Sequence, residues 1–164
     1  MHISSWALSA LLLAAPHAEA KDAESKLSAT IDRLWAAISH EPGQAADTAV
    51  LRRLFASDAR VLGVNPNRER GRLRVQSATA FVESLSGREA EGFYEKEIFR
   101  EIRVYGTLAH VLSTVESRTP RHAPASAIGV NSLQLHFDGA EWRIVSLYYH
   151  LEDPAQPIPS GYRR

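Results

Sequence analysis

Four polar side chains interrupt faces that strand alternation otherwise makes apolar, and they are the residues of this chain best placed to act together. Along Ile128 to Phe137, one face reads Asn131, Leu133, Leu135, Phe137, and the other Ser132, Gln134, His136. The matching set on the last strand is Val145, Leu147, Tyr149, Leu151. Earlier strands offer Ala109, Val111, Ser113, Val115 and Ile98, Arg100, Ile102, Val104. The polar exceptions are Arg100, Ser113, Asn131 and Tyr149, with Trp35 and Tyr94 expected at the mouth or floor of the same enclosure. An amide, a phenol and a guanidinium in a hydrocarbon lining can hold the polar end of a small apolar molecule. Each also has a structural role: a core amide bonded to backbone, a buried ring with a local hydroxyl bond, an arginine paired with Glu97 or Glu101, a serine in a tight core.

Other chemistries find little support. The chain has no cysteine, so thiol nucleophiles, disulfides and zinc–thiolate sites are excluded. His110, His122, His136 and His150 are widely spaced, without H-x-H or H-E-x-x-H, and alternation puts three of them on the outer face, so no metal is expected. There is no Ser-His-Asp set, phosphate loop or dinucleotide fingerprint, and no cofactor is expected. Lysine plus arginine and aspartate plus glutamate both count 19, a balance that argues against a generic nucleic-acid binder. Arg68, Arg70, Arg72 and Arg74 form a short ladder that reads as a solvated edge strand.

The elements that must position these residues are legible in the pattern. Leu27, Ile31, Leu34, Trp35 and Ile38 share one helix face, and Glu41-Pro42-Gly43 stops it. Asp47 caps a second helix burying Val50, Leu51, Leu54 and Phe55. Residues 60–64 and 72–76 read as strands around the turn Asn65-Pro66-Asn67. Ser77 caps a third helix carrying Phe81, Val82 and Leu85, closed by Gly87. The period then drops to two over 93–105, 108–118, 128–137 and 141–151, with Gly106-Thr107 and Asp138-Gly139 as turns. Helices segregated from a run of antiparallel strands mean an α+β fold, whose bent sheet can leave a conical cavity.

The flanks differ from this domain. Trp6 to Ala15 is an apolar run too short to span a bilayer, followed by His17-Ala18-Glu19-Ala20, an A-x-A pattern. Residues 1–20 read as a signal peptide cleaved after Ala20, which implies a periplasmic or secreted protein with no membrane span in the mature chain. The domain then covers 21–152, and 153–164 is a proline-rich tail expected to lie on the surface or pack against a partner.

The element order, with the stretches Arg103 to Arg118, Gly129 to Gly139 and Trp142 to Ser146, resembles the nuclear-transport-factor-2-like superfamily, especially its SnoaL-like (polyketide-cyclase-like) and ketosteroid-isomerase-like bacterial members. The resemblance implies a cone-shaped sheet, antiparallel or mixed, wrapped around three helices of the N-terminal half: the cystatin-like α+β barrel. Isomerase members use a tyrosine from the first helix, an aspartate from the first strand and an acidic donor from the penultimate strand. The matching positions here hold Leu34 or Trp35, Gly63 and Leu133, so that activity is not expected. Paired histidines of the dehydratase kind cannot be placed. The resemblance also implies a homodimer through the outer sheet face, expected to carry His136, Trp142, Ile144, Ser146, Tyr148 and His150.

These observations support an exported protein that binds a small, mostly apolar molecule and forms a homodimer, with catalysis open. One alternative is a metal-free SnoaL-like cyclase or hydrolase that polarises a carbonyl with Asn131, Tyr149 or Arg100. The other is a ligand-free dimerisation module whose sheet or tail binds a protein partner.

Overall fold

A computed structural model describes residues 16–68 and 71–163. The apolar run Trp6–Ala15 lies outside the described residues. Helix α1 (Pro16–Ile38) buries Leu27, Ile31 and Leu34 completely. Their spacing of three and four residues makes one continuous stripe. Beyond it Gly43 adopts a φ of 75°, a left-handed turn that a side chain disfavours. Helix α2 (Thr48–Leu54) starts where the Asp47 carboxylate accepts the Val50 N–H at 2.9 Å. Phe55 is already extended, so β1 (Phe55–Val64) begins five residues before the expected strand. Its early start comes from parallel pairing, because Phe55 stands opposite Ile144 of the last strand.

Strand β2 (Arg74–Ser77) is a short exposed edge. Ser77 ends it and caps α3 (Ala78–Ser84), its hydroxyl accepting the Ala80 N–H at 3.1 Å. The long strands follow: β3 (Tyr94–Tyr105), β4 (Leu108–Arg118), β5 (Ala127–Phe137) and β6 (Trp142–Leu151). The order of elements is the one the sequence pattern predicts. The sheet runs β2-β1-β6-β5-β4-β3, parallel between β1 and β6 and antiparallel elsewhere. It is mixed and open, so the expected barrel does not close: β2 and β3 remain separate edges.

Two irregularities reverse side-chain faces. In β3, Glu97 pairs with Val115 but Phe99 pairs with Thr114, leaving Ile98 unpaired. In β6, Ser146 pairs with Gln134 and Ile144 with Leu135, leaving Val145 unpaired. One inserted residue shifts the period-two pattern to the other face. Trp142 and Ile144, expected outside, are therefore 1% and 0% exposed, whereas Val145, expected inside, is 42% exposed. The Trp142 indole N–H donates to the Ala23 carbonyl at 2.9 Å and ties α1 to the sheet. Burial of an indole of this size contributes about 2–3 kcal/mol.

The tail turns back over its own domain. Tyr162 meets Phe99 edge-on at 6.3 Å, on the outer face of β3. The Glu152 carboxylate accepts the Ile158 N–H at 2.9 Å and pairs with Arg163. Thr114, which pairs with Phe99 on that outer face, is fully buried.

Candidate ligand-binding site

A cavity of about 300 Å³ opens between α1, α3 and the inner face of the sheet. Trp35, Phe81, Leu85 and Phe93 supply aromatic and aliphatic surface, and Val115 and Leu147 continue it on the sheet. Of the six residues singled out from sequence, this cavity brings together Asn131, Tyr149 and Trp35. The Asn131 amide nitrogen donates to the Ser113 carbonyl at 3.2 Å, which leaves the amide oxygen as the group a ligand can use. Tyr149 lies beside Asn131 across β5–β6 and beside Gly63 across β1–β6. Gly63 makes room for that ring, since a Cβ there would stand 2.1 Å from it.

Glu95 also lines the cavity, and alternation counted from Ile98 misses it. Ahead of the bulge the inward residues of β3 are odd-numbered, and Glu95 pairs with Ser117. Its carboxylate accepts the Ser117 hydroxyl at 3.1 Å. Its backbone N–H donates to the Ser39 hydroxyl at 2.9 Å, fixing it against the end of α1. Burial pushes the carboxyl up to about 7, and the Ser117 hydrogen bond pulls weakly the other way. Ser117, the small residue opposite it on β4, leaves room and a donor for the carboxylate.

Arg100 and Ser113 sit in a separate polar cluster. Glu97, turned inward by the bulge, accepts from both the Arg100 guanidinium and the Ser113 hydroxyl. Arg100 also donates to Asp32 at 2.5 Å and to the Ser28 carbonyl at 3.3 Å, both on α1. The cluster fastens α1 to β3. Tyr94 lies outside the cavity as well: its hydroxyl donates to Glu41 at 2.7 Å, and Arg121 stacks on its ring at 4.4 Å while pairing with Glu41. Hydrogen bonds from Tyr94 and Arg121 hold the Glu41 carboxyl below its usual range, and the same bond to Glu41 raises the Tyr94 phenol. These contacts latch the β4–β5 loop to the turn after α1.

The arginine ladder borders a neighbouring groove of about 210 Å³, where Arg68, Arg72 and Arg74 meet the far side of Tyr149. Arg70 lies outside the described residues. His110, on the outer face, contacts the Ser132 hydroxyl at 2.9 Å. Among the described residues no three metal-ligating side chains converge.

The fold has solved counterparts. An NTF2-like protein with a cystatin-like fold from Novosphingobium aromaticivorans superposes with a TM-score of 0.68 at 16% identity, over 90% of this chain and 94% of its own. An NTF2-like protein of unknown function from Silicibacter pomeroyi gives 0.59 at 22%, over 81% and 98%. A Nostoc punctiforme protein with a cystatin-like fold gives 0.61 at 14%, over 82% and 93%. This chain has the NTF2-like fold. No protein-family model matches it, and no curated protein matches it by sequence.

Of the positions that the sequence resemblance matched to isomerase groups, Leu34 or Trp35, Gly63 and Leu133, none carries a phenol or a carboxyl. Leu34 and Leu133 are fully buried in the core, and Gly63 is covered by the Tyr149 ring. The acidic group of this cavity comes instead from the start of β3.

Proposed function

We propose that this protein is an exported binder of a small, mostly apolar molecule held in the cavity behind α1 and α3. The observation that carries the reading is the cavity's composition: an aromatic and aliphatic lining with a few separated polar groups, Glu95, Ser117, Asn131 and Tyr149. Export is supported by the apolar run and A-x-A pattern of the first twenty residues. Native mass spectrometry of residues 21–164, purified gently from the host, tests it. A reproducible small adduct supports the reading. A bare protein that no small molecule stabilises overturns it. N-terminal sequencing of the exported form checks cleavage after Ala20.

One observation favours a second reading, a metal-free cyclase- or hydrolase-type enzyme. Glu95, with burial pushing it up to about 7, is poised for general acid–base work, and Asn131 or Tyr149 would polarise a carbonyl. Turnover that Glu95→Gln abolishes while binding persists would select this reading. Homodimerisation is proposed through the outer face, where Val75 and Tyr148 are 60% and 42% exposed. Both flank Leu62 in one cross-strand row. The inward turn of Trp142 and Ile144 leaves that face less apolar than the sequence pattern predicts. The mass measured in the same experiment decides between dimer and monomer.

A further inference from the structure

Among the described residues, no cation meets the carboxylate of the cavity. Among the described residues the other partly buried glutamates, Glu97, Glu101, Glu116 and Glu152, each pair with an arginine. Glu95 has only the neutral Ser117 hydroxyl. Arg68, Arg72 and Arg74 border the neighbouring groove beyond Tyr149, and the charged groups nearer Glu95 are turned away or engaged. On β3, Lys96 is exposed, opposite Glu116 in the strand register on the outer face, and Arg100 is taken by Glu97 and Asp32. On β4, Arg118 is taken by Glu116. In the β4–β5 loop, Arg121 is taken by Glu41, and His122 is exposed. After α1, the His40 ring contacts the Glu41 carbonyl. On β6, Tyr149 is the other titratable group lining the cavity. An ionised carboxylate in a hydrocarbon cavity is costly unless a donor of opposite charge meets it.

We propose that the cavity selects an apolar molecule bearing one ammonium group, which pairs with Glu95 at the Ser117 end while the hydrocarbon body packs on Trp35, Phe81 and Leu147. The inference rests on the cavity reading above and names the ligand class for it. A volume of about 300 Å³ has room for about ten non-hydrogen atoms, at roughly the 30 Å³ a water molecule occupies. The proton needed for the pair stays on the ligand nitrogen, and Glu95 loses its own proton to solvent when the amine enters. Amine binding therefore weakens as pH falls below about 7, where protons compete for the carboxylate.

The test compares 3-phenylpropylamine, 3-phenylpropan-1-ol and 3-phenylpropanoate by titration calorimetry on residues 21–164, between pH 5 and 8 in amine-free buffers. The amine is expected to bind about 10- to 100-fold more tightly than the alcohol at pH 8, the range of a hydrogen bond to a charged group. The carboxylate is expected to bind more weakly than either. Glu95→Gln keeps the side-chain shape and is expected to remove the amine's preference over the alcohol. Amine and alcohol binding alike, or a preference that survives Glu95→Gln, overturns the inference and leaves the cavity reading standing. No binding by any of the three overturns both. Should the variant not fold, the pH profile of the wild-type protein decides: an amine affinity that does not fall below pH 7 overturns the inference.

Discussion

Removing the charge of Glu95 should stabilise the empty protein, by an amount that grows as pH rises from about 4.5 to about 7. The carboxyl titrates at about 7 in the folded chain against an ordinary 4.5, and burial is the main cause. The folded state thus binds more protons than the unfolded state between those values, so stability falls as pH rises through that window. Below pH 4.5 the penalty is absent, and above pH 7 it is fully present. The gap corresponds to about 3 kcal/mol, and solvent reaching Glu95 through the open cavity lowers the expectation to about 2 kcal/mol. Glu95→Gln removes this penalty while retaining a partner for Ser117. At pH 8 the variant should exceed the wild type by about 2 kcal/mol, a rise in Tm of roughly 4–8 °C for a chain of this size. At pH 4.5 the two should agree to within about 0.5 kcal/mol. Urea unfolding at half-unit pH steps in phosphate and acetate reads the difference directly. A gap that does not change with pH, or a variant less stable at pH 8, would refute the assignment of Glu95 to a desolvated, unpaired site.

The remaining predictions concern the frame around the cavity. Gly63→Ala drives a Cβ into the Tyr149 ring and should cost about 1–3 kcal/mol in chemical unfolding, with Tyr149→Leu on the same background recovering part of it. Trp142→Ala should cost about 3–5 kcal/mol in the monomer, because the indole is core and not interface; a variant that lost only dimer affinity would contradict this. Glu97→Ala strips Arg100 and Ser113 of a shared acceptor, leaves Asp32 as the remaining anion, and should cost about 2 kcal/mol by urea unfolding. Deleting residues 153–164 removes Tyr162 from Phe99 and should cost about 2 kcal/mol with the cavity's affinity unchanged, as unfolding and calorimetry on the truncated chain would show.

Much of the frame was legible because its signals are local. Asp47 and Ser77 cap helices through bonds spanning three residues, and the α1 stripe depends only on the helical repeat. The order of elements and the resemblance followed from those signals. The site was legible in part: Asn131, Tyr149 and Trp35 line one cavity, while Arg100 and Ser113 belong to a polar cluster and Tyr94 to a latch. Glu95 and Glu97 were hidden by the same cause that misplaced Trp142 and Ile144. Ile98 and Val145 are ordinary strand residues by type, and nothing in their neighbours marks them as unpaired.

The sequence by itself determined the order of helices and strands and the α+β class. Those rest on periodicity, caps and turns within a few residues. The tertiary structure alone decided which face each strand residue takes, that the sheet stays open, and that a lone carboxylate meets the cavity. A bulge is settled by the fit of one strand to its neighbour, and a carboxylate's environment by everything packed around it, so neither is written in a single segment.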